Sequence, residues 1–422
     1  MANRPRRYFQ SRPAPSKLAE SDTIGRISLV PKYLSEQPPA HRELMVYVWY
    51  PAAPPDSRSF LSPYLPGATA IDKSPQADGA KGSSWPLIVS GKIRTHTFEK
   101  ATIASSPSRF PLLVFSQGGG MPSFFYTSQI EELVSHGYIV ASIEHTYENG
   151  AVVFPDGRVV TNSLKSVSHF GAPPPGTSKE DWQKQFHLWE QQRVDVWAGD
   201  IQFVIDQLKR LDEDQTQGAP LRRRIDFSLV GAFGHSIGGN AVARACELDL
   251  RIKACANEDG YVDPDGPIVF YDGASLPTQP FLFLQSIIRR PTDEELTSWH
   301  FTREQFDRMI AGLQAGTTKE LESCTGGSYQ VVVDLPGFEH SSFTDLPLIQ
   351  DVVSPAEETN DLRSLQLVRS YLVAFFDKYL KGVKEPLLDI NTAKDPAVDI
   401  RRFGRAKTVG ARGHYAGATH PV

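Results

Sequence analysis

The hexapeptide Gly234-His235-Ser236-Ile237-Gly238-Gly239 constrains this chain more than any other feature. It carries the pattern G-x-S-x-G. The preceding run, Ile225-Asp226-Phe227-Ser228-Leu229-Val230-Gly231-Ala232-Phe233, reads as a buried strand. The following run, Asn240-Ala241-Val242-Ala243-Arg244-Ala245-Cys246-Glu247-Leu248, reads as a helix. A serine on a sharp strand-to-helix turn presents its Oγ to a base, and the new helix aims its first N–H groups at a reacting carbonyl. Glycines two before and two after the serine make steric sense, because side chains there would collide across the turn. The competing reading is a tight turn whose serine only caps a helix.

The rest of the chain supplies a fold for this elbow. Apolar runs near Thr23–Pro31 and Glu43–Tyr50 predict two opening strands, antiparallel to each other. Residues 51–109 are rich in Pro, Ser, Gly and Ala and read as an excursion over the surface. Phe110–Ser116 predicts a buried strand, Ser123–His136 an amphipathic helix and Gly137–Glu144 the next strand. A second insert, near 146–177, contains a hairpin signal at Pro155-Asp156-Gly157. Ser178 and Asp181 open a long helix with a stripe of apolar residues that includes three tryptophans, a pattern that favours core packing. Strands follow at Lys253–Asn257, Pro280–Gln285 and Ser328–Leu335, with helices at Pro291–Gln314 and Leu362–Leu380. Alternating strands and helices imply a mostly parallel sheet covered on both faces. Joined to the elbow, this is the α/β-hydrolase fold. We expect a flexible segment at 1–22, one catalytic domain at 23–384 with its two inserts, and an irregular tail at 385–422.

In this fold the nucleophile is followed by an acid at a strand end, then a histidine after the last strand. The strand after the elbow ends in Glu258-Asp259. In extended chain these two point to opposite sides, so one of them at most can orient a base. Asp259 is chosen, Glu258 being left as a surface or supporting group, with Asp263 and Asp265 as outside candidates. The last strand leads to His340, the expected base. His300 sits in a helical stretch, and His414 and His420 lie far along the tail. The oxyanion donors expected are the N–H of Ile237 and one from Gln117-Gly118-Gly119-Gly120, with Gly119 preferred and Gly118 the alternative. His145 ends the strand before the second insert; its place ahead of the nucleophile suits a structural or pocket-lining role.

Composition excludes other classes. With 44 Lys+Arg against 49 Asp+Glu the net charge is −5, and no basic surface for nucleic acid is evident beyond Arg4-Pro5-Arg6-Arg7. No run approaches the roughly 18 apolar residues of a membrane span. There is no signal-peptide pattern, no N-x-[ST] site among the seven asparagines, and an odd count of three cysteines. These favour a reducing, cytoplasmic location. No metal or cofactor motif is present.

With these residues assembled, the chain resembles the plasma and type II platelet-activating factor acetylhydrolases. The likeness rests on Pro111-Leu-Leu-Val-Phe-Ser-Gln-Gly118, Leu133-Val-Ser-His-Gly-Tyr-Ile-Val-Ala-Ser-Ile-Glu-His145, Gly234-His-Ser-Ile-Gly-Gly239 and Gly337-Phe-Glu-His-Ser-Ser-Phe-Thr-Asp345. In that family the aspartate follows the serine by a little over twenty residues; here Asp259 follows Ser236 by 23, which favours it over Glu258. The resemblance implies a cofactor-free serine esterase for short or oxidised acyl groups, acting on a small ester or phospholipid-like substrate, with peripheral membrane contact a further expectation. It equally admits a hydrolase, acyltransferase or cyclase for an ester, lactone or thioester in secondary metabolism, as among fungal relatives of this kind. Gln117 departs from the family, where histidine is usual before the oxyanion glycine.

Overall fold

The computed structural model describes residues 24–29, 32–34, 41–54, 60–75, 77, 81, 85–161, 176–214, 221–261, 277–298, 301–354, 360–388 and 395–403. The expected flexible segment 1–22 lies outside these residues, as do Asp263, Asp265, His300, His414 and His420.

The strands, in chain order, are β1 (Ile24–Leu29), β2 (Lys32–Leu34), β3 (His41–Glu43), β4 (Met45–Pro51), β5 (Leu61–Pro63), β6 (Arg94–Glu99), β7 (Phe110–Ser116), β8 (Ile139–Glu144), β9 (Ala151–Val153), β10 (Val159–Thr161), β11 (Ile225–His235), β12 (Ile252–Glu258), β13 (Phe281–Ser286), β14 (Ser328–Val333) and β15 (Val398–Phe403). The helices are α1 (Ala68–Lys73), α2 (Trp85–Val89), α3 (Thr127–Ser135), α4 (Lys179–Glu213), α5 (Ile237–Leu248), α6 (Asp293–Ser298), α7 (Arg303–Ser323), α8 (Leu346–Val353) and α9 (Asp361–Lys381).

Eleven of the strands form one sheet in the order β15-β14-β13-β12-β11-β7-β8-β4-β1-β6-β5. The six from β14 to β8 run parallel to one another. The antiparallel start is present, β4 pairing with both β1 and β8. This is the α/β-hydrolase fold.

Alternation along the strands builds two cores. In β7, Leu113 and Phe115 point into one apolar cluster, while Phe110, Leu112 and Val114 point into the other. α3 and α9 cover the first face through Ile130, Leu133, Val368, Leu372 and Phe375. α4 and α5 cover the second through Trp197, Ile201, Val204, Ala241 and Val242. Each large side chain so enclosed contributes about 2–3 kcal/mol. The tryptophan stripe expected of α4 is thus core at Trp197, whereas Trp189 is half-buried. The capping signal before α4 is real, Asp181 N donating to Ser178 Oγ at 3.0 Å. The Pro155-Asp156-Gly157 hairpin is formed by β9 and β10.

Two expectations are corrected, and a disulfide is added. The stretch 51–109 is not only a surface excursion: β5 and β6 extend the sheet beyond β1. The tail is not irregular throughout, since Val398–Phe403 pairs antiparallel with β14 over six residues. Cys246 and Cys255 form a disulfide between α5 and β12, leaving Cys324 as the free, buried thiol. No helix of the described residues is long and apolar enough to cross a membrane.

Candidate active site

β7, β11, β12 and β13 all end on the same edge of the sheet, the usual location of a site in an open parallel sheet. There Ser236 follows β11 with φ 57° and ψ −129°, a left-handed conformation that costs a non-glycine residue energy and is held by its surroundings. Those surroundings are specific. Ser236 N donates to Glu258 O at 2.8 Å, and Gly239 N donates to Ser236 O at 2.9 Å. A Cβ on Gly234 would come within 2.5 Å of Gly238 O and 2.6 Å of Ser116 O. A Cβ on Gly238 would collide with the main-chain oxygens of Ser116 and Gln117. The glycines are where close approach of three backbone segments requires them. Ser236 itself is partly exposed, and Ile237 behind it begins α5 with one of the unpaired first-turn N–H groups.

Asp259 leaves β12 with φ 57°, so the strand's alternation is broken where the acid turns. Its carboxylate collects four donors. Oδ1 accepts from Ser286 N at 2.8 Å and Tyr261 Oη at 2.9 Å; Oδ2 accepts from Ser286 Oγ at 2.8 Å and from His340 Nδ1 at 2.8 Å. Burial alone would raise its pKa, but the bonds from His340 and Ser286 outweigh burial and hold it below the ordinary value of 3.8. In the opposite sense, burial would lower the pKa of His340, and its bond to Asp259 outweighs that, leaving it above 6.5. The His340 side chain remains 53% exposed, so its remaining ring nitrogen, Nε2, is open to a proton donor and to water.

Glu258 points the other way. It is fully buried, and loss of water pushes its pKa well above 4.5, only partly offset by Gln129. It is enclosed in the core, so of the two places the sequence allowed it, at the surface or supporting the site, the surface is ruled out.

The oxyanion loop separates the two glycine candidates. Gly118 N donates to Tyr126 Oη at 3.1 Å, so that donor is already used. Gly119 is exposed and lies against Ile237, a Cβ on it falling 3.5 Å from Ile237 Cγ2. Gln117 is fully buried and meets the Asn149 side chain. His145 follows directly on β8. It is fully buried, stacked on Trp197 with centroids 3.9 Å apart, with Nε2 2.9 Å from Ser116 Oγ and Nδ1 2.7 Å from Asp200 Oδ2.

Sequence reasoning missed Ser286, Tyr261 and Tyr126. Ser286 had a signal, as the last residue of the run PFLFLQS; Tyr126 had none, because its partners are brought to it only by the fold.

Among known proteins, residues 32–387 match the family described as platelet-activating factor acetylhydrolase, isoform II. The chain belongs to that family. A probable 1-alkyl-2-acetylglycerophosphocholine esterase of Arthroderma benhamiae is 25% identical over 354 residues, spanning 80% of this chain and 79% of the relative. The platelet-activating factor acetylhydrolase of Canis lupus familiaris is 27% identical over 222 residues, 49% of this chain and 47% of the dog protein. Among solved structures, a ferulic acid esterase from Streptomyces cinnamoneus superposes with TM-score 0.60 at 28% identity, covering 92% of this chain and 98% of its own. By family, therefore, the chain is a carboxylic ester hydrolase for small ester or phospholipid-like substrates.

Proposed function

We propose that the chain hydrolyses short-acyl esters, of the class typified by the 2-acetyl glycerophospholipids in its relatives' names, through an acyl-enzyme on Ser236. His340 Nε2 removes the Ser236 proton as Oγ attacks the ester carbonyl. Asp259 holds Nδ1–H, which fixes the tautomer and stabilises the imidazolium. The N–H groups of Ile237 and Gly119 receive the developing oxyanion. His340 then passes its proton to the leaving alcohol. A water deprotonated by the same histidine releases the acid.

The observation that carries this reading is the His340–Asp259 bond of 2.8 Å, in a chain that also holds Ser236 in a left-handed elbow. The half-exposed imidazole favours water as the acyl acceptor over a transferase or cyclase, which would need it shielded. A p-nitrophenyl ester series from acetyl to palmitoyl, run on wild type and Ser236→Ala, tests the proposal. Turnover confined to short chains and lost in the variant supports it. Turnover retained in Ser236→Ala refutes the nucleophile, and a preference for long chains refutes the substrate class.

A further inference from the structure

His235, the residue before Ser236, is buried and makes two hydrogen bonds that join separate parts of the site. Its Nδ1 lies 2.8 Å from Tyr126 Oη, and its Nε2 lies 3.0 Å from the main-chain oxygen of His340. Tyr126 Oη also accepts from Gly118 N at 3.1 Å. Proton accounting leaves one arrangement. The His340 carbonyl can only accept, so Nε2 carries the ring proton, and in the neutral imidazole Nδ1 is left to accept from the Tyr126 hydroxyl. Nδ1 is then an acceptor, the ring proton resides on Nε2, and Nε2–H donates to the His340 carbonyl. Burial, which holds the His235 pKa well below 6.5, keeps the ring neutral and so keeps this polarity.

We propose that His235 and Tyr126 are positioning residues: a one-directional chain, Gly118 N–H to Tyr126 to His235 to the His340 carbonyl, that sets the base loop against the oxyanion loop across the nucleophile elbow. The proposal rests on the ester-hydrolase reading above. Packing agrees with the hydrogen bonds. The His235 ring lies 4.4 Å from the His340 ring and 5.5 Å from Phe343, centroid to centroid. A Cβ on Gly118 would fall 2.9 Å from His235 Nδ1 and 3.0 Å from Tyr126 Oη, so the glycine leaves room for the junction itself. Gly118, the first glycine of the loop, is thereby given a role other than the oxyanion one.

The test compares His235→Gln, His235→Asn and Tyr126→Phe with wild type, measuring kcat and KM on p-nitrophenyl acetate and the rate of inactivation by a fluorophosphonate. A glutamine places an amide N–H near the Nε2 position and preserves the bond to His340; an asparagine reaches only the Nδ1 position. His235→Gln is expected to keep kcat within about fivefold, as for loss of one neutral hydrogen bond. His235→Asn is expected to lose about 10²-fold in kcat, with KM little changed and inactivation slowed in parallel, as for a misplaced base. Tyr126→Phe, which removes one oxygen, is expected to lower kcat about five- to tenfold. Equal loss in Gln and Asn variants, loss confined to KM, or wild-type kcat in Tyr126→Phe would overturn the proposal. If His235→Asn does not fold, Tyr126→Phe alone decides. A wild type that neither cleaves esters nor reacts with the fluorophosphonate would refute the hydrolase reading itself and this proposal with it.

Discussion

Replacing Asp259 by asparagine should nearly abolish turnover, and the structure says how. The two carboxylate oxygens are not equivalent. Oδ1 faces the Ser286 N–H and the Tyr261 hydroxyl; Oδ2 faces the Ser286 hydroxyl and His340 Nδ1. A main-chain N–H cannot accept, so the asparagine oxygen is forced to the Oδ1 side and its NH₂ to the Oδ2 side, where the Ser286 hydroxyl can turn to receive it. The NH₂ then donates to His340 Nδ1, which must give up its proton. The proton moves to Nε2, the nitrogen needed as base, and the imidazole presents a donor to a donor. Loss of tautomer control of this kind lowers kcat by about 10⁴, or roughly 5 kcal/mol of transition-state stabilisation. The assay is steady-state hydrolysis of p-nitrophenyl acetate by Asp259→Asn and Glu258→Gln side by side. Glu258, buried with its pKa raised and neither carboxyl oxygen hydrogen-bonded, should tolerate the amide with kcat within a fewfold of wild type. An Asp259→Asn enzyme within tenfold of wild type, or a Glu258→Gln enzyme crippled instead, would refute the assignment of the acid and the tautomer argument together.

Ser236→Ala should lose at least about 10⁴ in kcat and all fluorophosphonate labelling, whereas Ser116→Ala should label at the wild-type site; intact mass and peptide mapping read both outcomes. The pH profile of kcat/KM should fall on its acid side through a pKa above 6.5, because the bond to Asp259 raises His340 and the base works only when neutral. In Asp259→Asn that limb should move to lower pH. Burial raises Glu144 to about 7 from its ordinary 4.5, partly offset by bonds from Ser123 and Asn149. A raised carboxyl pKa favours folding while protonated, so its contribution is full below about 4.5 and lost as pH rises through about 7, amounting to about 3 kcal/mol. Glu144→Gln should flatten the dependence of melting temperature on pH over that range; unchanged dependence would remove Glu144 as its source.

The parts of this site that could be read from the sequence are those whose constraint is local. Gly234 and Gly238 are forced by a turn only four residues across, and the strand and helix on either side announce themselves by their own periodicity. Alternation said only that one of Glu258 and Asp259 could orient a base; Asp259 was chosen from its place at the loop edge and the spacing of 23 from Ser236, and the left-handed turn at Asp259 is a break that alternation does not foresee. What escaped was set by distant partners. Gly118 looks like an oxyanion donor until Tyr126 is folded onto it. β6 carries buried Thr95 and Thr97 in a polar run that gains meaning only when β1 pairs with it. β15 finds its register on β14 from beyond α9. Cys246 and Cys255 are nine residues apart, yet they meet because the chain reverses between the end of α5 and β12.

The molecule also shows that a Ser–His–Asp set is not by composition a catalyst. Ser116, His145 and Asp200 repeat the bonding order of the proposed triad, at 2.9 and 2.7 Å. Three differences separate them. All three side chains are fully buried, so no ester carbonyl can reach Ser116 Oγ. The Asp200 charge is matched by Arg42, whose Nε lies 3.0 Å from Oδ1 and whose Nη2 lies 2.8 Å from Oδ2. It is therefore less able to stabilise an imidazolium, and burial holds the His145 pKa below 6.5, where His340 is raised. Ser116 also ends a regular strand, whereas Ser236 is held at positive φ where a helix begins. The inner set instead ties the end of β7, just ahead of Gln117 and the oxyanion glycines, to α4 and to Arg42. The same three residue types thus recur at one sheet edge, and access, charge balance and backbone conformation are the grounds on which the proposed set, rather than the buried one, is expected to react.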